Sequence, residues 1–115
     1  NSKSKKIKNL IGKTNLIQLV EILRKSKFNI ANDSGPIHIS YALDIPSICI
    51  SGGNNFGRFV PYPSKLKNAP KTIFNQECLS NGFNSNKVQY YINKVTVNQV
   101  ANLFDITYKK WIYIF

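Results

Sequence analysis

The sequence predicts a single α/β domain in which helices cover a parallel sheet. Three observations point there: a helical apolar period from residue 15, compact strand-like runs at residues 28–31 and 47–51, and a helix start between those runs. Helix, strand, helix, strand with short links makes consecutive strands parallel and the joining helix a right-handed crossover. The length of 115 residues fits one domain, and 43% hydrophobic content supports one core.

The elements follow in order. Leu16, Leu19, Val20 and Leu23 sit at i, i+3, i+4 and i+7 and predict one buried stripe. Thr14 or Asn15 caps that helix, with Asn15 and Gln18 spaced as a capping-box variant. Arg24, Lys25 and Lys27 gather in its last turn, where the carbonyl end favours cations. Residues 28–31 read as a short strand interrupted by Asn29. Residues 32–36, "NDSGP", break it and open the next helix, with Ser34 or Asp33 as N-cap and Pro36 in the first turn. That helix runs through "IHISYAL" until Ile45 and Pro46 end it. "SICIS" is the second strand, and Gly52-Gly53 terminates it.

The second half carries fewer signals. "GGNNFGRFVPYP" reads as a long structured loop, Thr72 to Phe74 as a short strand, and "NQECLSNGFNSNK" as a polar, irregular loop. Thr96 and Gln99 have capping-box spacing ahead of a final helix over "VANLFDI", with Val97, Val100, Ala101 and Phe104 as its apolar stripe. The ending "YKKWIYIF" is expected to pack back on the domain or onto a further part. No repeat and no linker divides the chain.

Composition removes several function classes. No run approaches the about eighteen apolar residues a membrane helix needs, and the start has no signal-peptide pattern. The chain opens on Asn1 and contains no methionine, so it is expected to be part of a longer protein. Cys49 and Cys78 are too few for a disulfide framework; Cys49 lies in an apolar run, as a buried thiol would, and no CxxC spacing supports a metal site. One histidine excludes a histidine-based metal cluster within the chain. The net charge of +11 includes five lysines (Lys3, Lys5, Lys6, Lys8 and Lys13) with no acid among them, a cluster able to attract phosphates of nucleic acid, anionic lipid or a small ligand. No nucleic-acid-binding motif accompanies it, and Lys, Asn and Ile crowd the whole chain, so no specific nucleic-acid partner is expected.

In an open parallel sheet, ligands sit beyond the carboxyl ends of the strands. The loops there are residues 32–36 and 51–63. The first feeds a helix N-terminus, where free N–H groups and the helix dipole favour an anion. Gly35 leaves that backbone accessible, and Ser34 adds a hydroxyl. Two readings of Asp33 remain open: it caps the helix, filling the anion site from within, or Ser34 caps while Asp33 turns out to accept hydroxyl protons from a sugar. His38, one turn on, either faces the same ligand or packs as a satisfied histidine. Arg58, one of two arginines, is a phosphate clamp if its loop faces that edge and a solvated cation otherwise. Phe56, Phe59 and Tyr62 wall a base or sugar pocket, or fasten the loop to the body. The glycines do not fall as GxGxxG, and no Walker A motif is present.

"NLIGKTNLIQLVEILRKSKFNIANDSGPIHISYALDIPSICISGG" resembles the carboxyl-terminal half of the heptosyltransferase-like glycosyltransferases, glycosyltransferase family 9. The helix, the NDSGPxH turn and the following ALxxP recur there in one order; the resemblance is strong over about residues 9–53 and loose elsewhere. "GGNNFGRFVPYP" is similar to a loop in some members and departs from the GPT-type loop common in the family. The resemblance implies a Rossmann-like parallel sheet flanked by helices, the carboxyl-terminal half of a GT-B enzyme, with residues 1–115 as a single donor-binding domain. It implies inverting transfer without a metal or other cofactor, from ADP-heptose or another nucleotide sugar to a lipid-linked or glycan acceptor such as the lipopolysaccharide core. Asp33 would then contact sugar hydroxyls, the backbone at Ser34 and Gly35 would hold the diphosphate, and His38 would lie nearby. The general base, expected in an amino-terminal domain, has no counterpart here, and neither do a phosphate-binding lysine and a ribose-binding acid that normally come before this region. The implied location is cytoplasmic, with peripheral contact to the anionic inner face of a bacterial inner membrane.

Overall fold

The computed structural model describes residues 6–54, 59–63, 65–80 and 87–114, the side chains of 79–80 and 108–114 excepted. Three parallel strands, β1 (Asn29–Asn32), β2 (Ser47–Ile50) and β3 (Lys71–Ile73), lie in the order β1-β2-β3. Helix α1 (Leu16–Arg24) precedes β1, and α2 (Gly35–Ala42) joins β1 to β2. After β3 come one helical turn, α3 (Glu77–Ser80), then α4 (Val88–Lys94) and α5 (Val97–Ile114). This is the α/β arrangement expected of a Rossmann-like half.

Both capping boxes form. The Asn15 side chain accepts from the Gln18 amide at 2.8 Å and Gln18 accepts from the Asn15 amide at 2.9 Å. Thr96 and Gln99 repeat the exchange at 3.1 and 2.8 Å at the head of α5. Each box satisfies two orphan N–H groups, which is why these starts are sharp. The apolar stripes behind them are only partly buried. Leu23 is buried, while Leu16, expected in the same stripe, is 67% exposed; in α5, Val97 is 84% exposed. In both helices the apolar period continues into a first turn where burial does not.

Register places Ala31 beside Cys49 and Ile30 beside Ile48, and side chains alternate between faces along each strand. The first face carries Ala31 and Cys49 against Ile37 of α2, and Val60 closes that core. Asn29 does not interrupt β1 but begins it. Its amide reaches under α2, donating to Ser40 Oγ at 2.9 Å and to the Pro36 carbonyl at 3.4 Å. The opposite face carries Ile30 and Ile50, which with Val100 and Phe104 of α5 line an open apolar groove of about 470 Å³. Phe104 meets Phe28 edge to face at 5.0 Å.

Helix α2 stops earlier than the proline alone requires. Asp44 takes a left-handed φ of 62°. Its N–H donates to the Tyr41 carbonyl at 3.0 Å and the Ile45 N–H to the Ser40 carbonyl at 2.8 Å, a Schellman closure built on Asp rather than Gly. The β3 strand starts one residue before the expected Thr72. The second polar loop is not wholly irregular: the Asn75 side chain accepts from the Glu77 amide at 2.9 Å and starts α3. Helix α4, which no strong local pattern announces, lies against the loop after β2, with Val88 beside Gly52. Among the described residues, no helix is long and apolar enough to cross a membrane.

Candidate functional site

Parallel pairing continues one step past β1, where the Asp33 N–H donates to the Ile50 carbonyl at 3.0 Å. That bond fixes the chain at the carboxyl edge of the sheet just before it turns into α2. Ser34 is the N-cap residue, with φ −159° and ψ 177°, but its side chain makes no capping bond. Its hydroxyl instead donates backwards to the Asn32 carbonyl at 3.0 Å. Pro36 contributes no N–H to the first turn, and the Ile37 N–H closes onto the Ser34 carbonyl at 3.1 Å. Among the described residues no side chain therefore fills the N-terminus of α2 from within, and the Gly35 amide stands at its mouth. A Cβ added at Gly35 would meet nothing within 4 Å, so the space before those amides is open.

Asp33 is half-buried at this edge. It does not cap α2. One carboxylate oxygen, Oδ2, is buried with no hydrogen-bond partner. Its charge reaches Cys49, whose thiol is pushed up to about 12, first by burial and then by Asp33. A thiol so held is neutral at physiological pH and is no nucleophile. Cys49 is therefore expected to resist alkylation in the folded chain at pH 8 and to react at once in denaturant. Because its folded pKa lies above the ordinary 9.0, the contribution of this proton to stability is complete below pH 9 and is lost as pH rises towards 12. Alkylation followed by mass spectrometry at stepped pH checks both points.

One turn into α2, His38 Nδ1 lies 2.6 Å from the Tyr62 hydroxyl. The Tyr62 ring packs on Tyr41 with centroids 4.7 Å apart, and Phe59 approaches His38 edge to face at 6.4 Å. Val60, 1% exposed, is plugged into the core between them. So the loop after β2 returns across the first half of α2 and is nailed there. Burial is the main cause of a raised Tyr62 pKa, with the nearby Tyr41 and Cys49 adding to it, so the phenol keeps its proton.

Four of the expected site residues, Asp33, Ser34, Gly35 and His38, thus lie together at the carboxyl edge of β1 and the start of α2. Arg58 and Phe56 lie outside the described residues. Tyr62 and Phe59, read either as a pocket wall or as fastening the loop to the body, pack against His38; a contact spanning 24 residues leaves no trace in local spacing. Ser34 and Gly35 are exposed at the start of α2, an open ledge among the described residues. Neither the apolar groove nor a smaller cavity of about 280 Å³ beside Tyr62 and Phe74 is lined by Asp33, Gly35 or His38.

No curated protein and no solved structure is a significant match to the chain. The family model described as glycosyltransferase family 9 (heptosyltransferase) matches residues 1–89, which takes in the first helix, both strands flanking α2, the ledge and β3. Having the parallel sheet, the NDSGPxH turn at its carboxyl edge and a family match over most of its length, the chain belongs to glycosyltransferase family 9 and is a glycosyltransferase chain.

Proposed function

We propose that this chain is the donor-binding part of an inverting, metal-independent glycosyltransferase that moves a heptose from a nucleotide-sugar donor to a lipopolysaccharide-core or related glycan acceptor. The observation that carries this reading is the N-terminus of α2: among the described residues no side chain caps it, Gly35 leaves open space beside it, and Asp33 stands directly before it. An amide cluster at a helix start suits a diphosphate, and a carboxylate with spare acceptor capacity suits sugar hydroxyls.

In this mechanism an acceptor hydroxyl, deprotonated by a base on a facing amino-terminal domain, attacks the anomeric carbon while the nucleoside diphosphate leaves. Negative charge grows on the leaving diphosphate, and the Ser34 and Gly35 amides with the helix dipole stabilise it there. Asp33 orients the sugar and takes no proton from the acceptor. The chain supplies binding and leaving-group stabilisation. The 115-residue chain alone is therefore expected to bind donor weakly or not at all and to transfer nothing; turnover of a nucleotide sugar by the purified chain would overturn that division. The whole protein is placed at the cytoplasmic face of the inner membrane, drawn to anionic lipid by its lysines.

Titrating the full-length protein with ADP-sugars, UDP-sugars and a DNA duplex tests the reading. Saturable nucleotide-sugar binding supports it. Tight duplex binding without nucleotide-sugar affinity would instead make the charge of +11 the working feature, as in a basic nucleic-acid module. Gly35→Ala sharpens the test. The new methyl has room in the folded chain, and Ala is the better helix former, so the melting temperature should hold or rise slightly. It enters the space a phosphate would use, so donor affinity should fall about tenfold, about 1.4 kcal/mol. Equal affinity in calorimetry would place the diphosphate elsewhere.

A further inference from the structure

We infer that Tyr62 is a positioning residue: its hydroxyl donates to Nδ1 of His38 and holds the imidazole as the Nε2–H tautomer, a neutral hydrogen-bond donor one turn into the helix that opens the site. The two atoms are 2.6 Å apart, a normal length for a phenol donating to a ring nitrogen. One of the two groups must donate. An imidazole nitrogen is a better acceptor than a phenol oxygen, and a phenol is a stronger acid than a neutral imidazole N–H, so the proton lies on the tyrosine side. The raised Tyr62 pKa agrees, since it keeps that proton in place through the neutral range.

The rest of the arrangement serves to hold this bond. Tyr62 is wedged against Tyr41 at 4.7 Å, and its ring lies 34° from that of His38. Two residues earlier, Val60 is locked into the core with Ile37, which is the residue before His38. The hydrogen-bonded pair is thus anchored on both sides by the same buried contact. An unrestrained histidine exchanges tautomers; this one presents the same donor continuously. The role at the ligand rests on the donor-binding reading above: there the Nε2–H would add a hydrogen bond to a nucleoside diphosphate, beside the backbone amides.

The chain has one histidine, so nitrogen-15 spectra of its imidazole are unambiguous. In the folded chain, Nδ1 should show the shift of an unprotonated ring nitrogen and Nε2 that of a protonated one. Tyr62→Phe should return both to averaged shifts, while Tyr41→Phe, which keeps the ring packing, should leave them apart. A protonated Nδ1 in the unmodified chain, or an unchanged pattern in Tyr62→Phe with melting temperature preserved, would overturn the proposal. A second arm measures ADP affinity of the full-length protein, expected to drop about three- to tenfold in Tyr62→Phe. If the tautomer changes as expected and affinity does not, Tyr62 still positions His38 and it is the placement of His38 at the diphosphate that fails.

Discussion

Asp33→Asn should cost the full-length protein about a hundredfold or more in sugar transfer, with a melting temperature that holds or rises. The two halves of this expectation have separate causes. A carboxylate accepting from sugar hydroxyls contributes about 1.5–3 kcal/mol per charged hydrogen bond, and binding that persists into the transition state appears in kcat/KM. In the folded chain the same carboxylate has a buried oxygen without a partner, which is a cost and not a gain. A neutral group of the same shape lowers that cost, because an unpaired amide is cheaper to bury than an unpaired charge. A third readout is independent of substrate: Asp33 is the second cause of the raised Cys49 pKa, so the alkylation profile of Cys49 should move to lower pH in the variant. Loss of activity together with loss of fold would reduce Asp33 to a structural residue. Full activity would remove it from the donor site.

Gly52→Ala should be the most destabilising small change at the carboxyl edge. Gly52 is buried, and a Cβ there would collide with the Val88 side chain, 2.8 Å from the Val88 carbonyl oxygen and 3.1 Å from its Cα. Side chains can swing aside; the backbone at the head of α4 cannot move without shifting the helix. Overpacking of this kind costs about 1–3 kcal/mol, and in a domain near this size each kcal/mol lowers Tm by about 4–8 °C. Val88→Ala on top of Gly52→Ala should recover only part of the loss, because the carbonyl remains. A thermal melt of the two variants decides it, and an unchanged Tm in Gly52→Ala would mean that α4 is not seated as described.

What could be read from the sequence was what is written locally. A capping box is an exchange between residues three apart, so Asn15 with Gln18 and Thr96 with Gln99 were visible before any fold was known. The break at "NDSGP" and the compact "SICI" run were equally plain, and together they imply the parallel crossover. Partners that come from elsewhere in the chain were not visible. Leu16 and Val97 have the right period and stay exposed, since period states which side chains share a face and not whether anything covers it. Asn29 looked like an interruption because its acceptors, Ser40 and Pro36, belong to the next helix. At the site, spacing placed a helix start but left open whether Asp33 or Ser34 caps it. Neither does: Ser34 turns back to Asn32, and the Asp33 carboxylate has one buried oxygen without a partner.

The loop after β2 is held at Gly53, which is buried, and again at Val60 in the core. A segment clamped at both ends can be exchanged like a cassette. Both anchors rest on the sheet and α2, so the residues between them do not supply these two contacts. A small library between the anchors can therefore be screened for altered donor preference while both anchoring contacts are left in place.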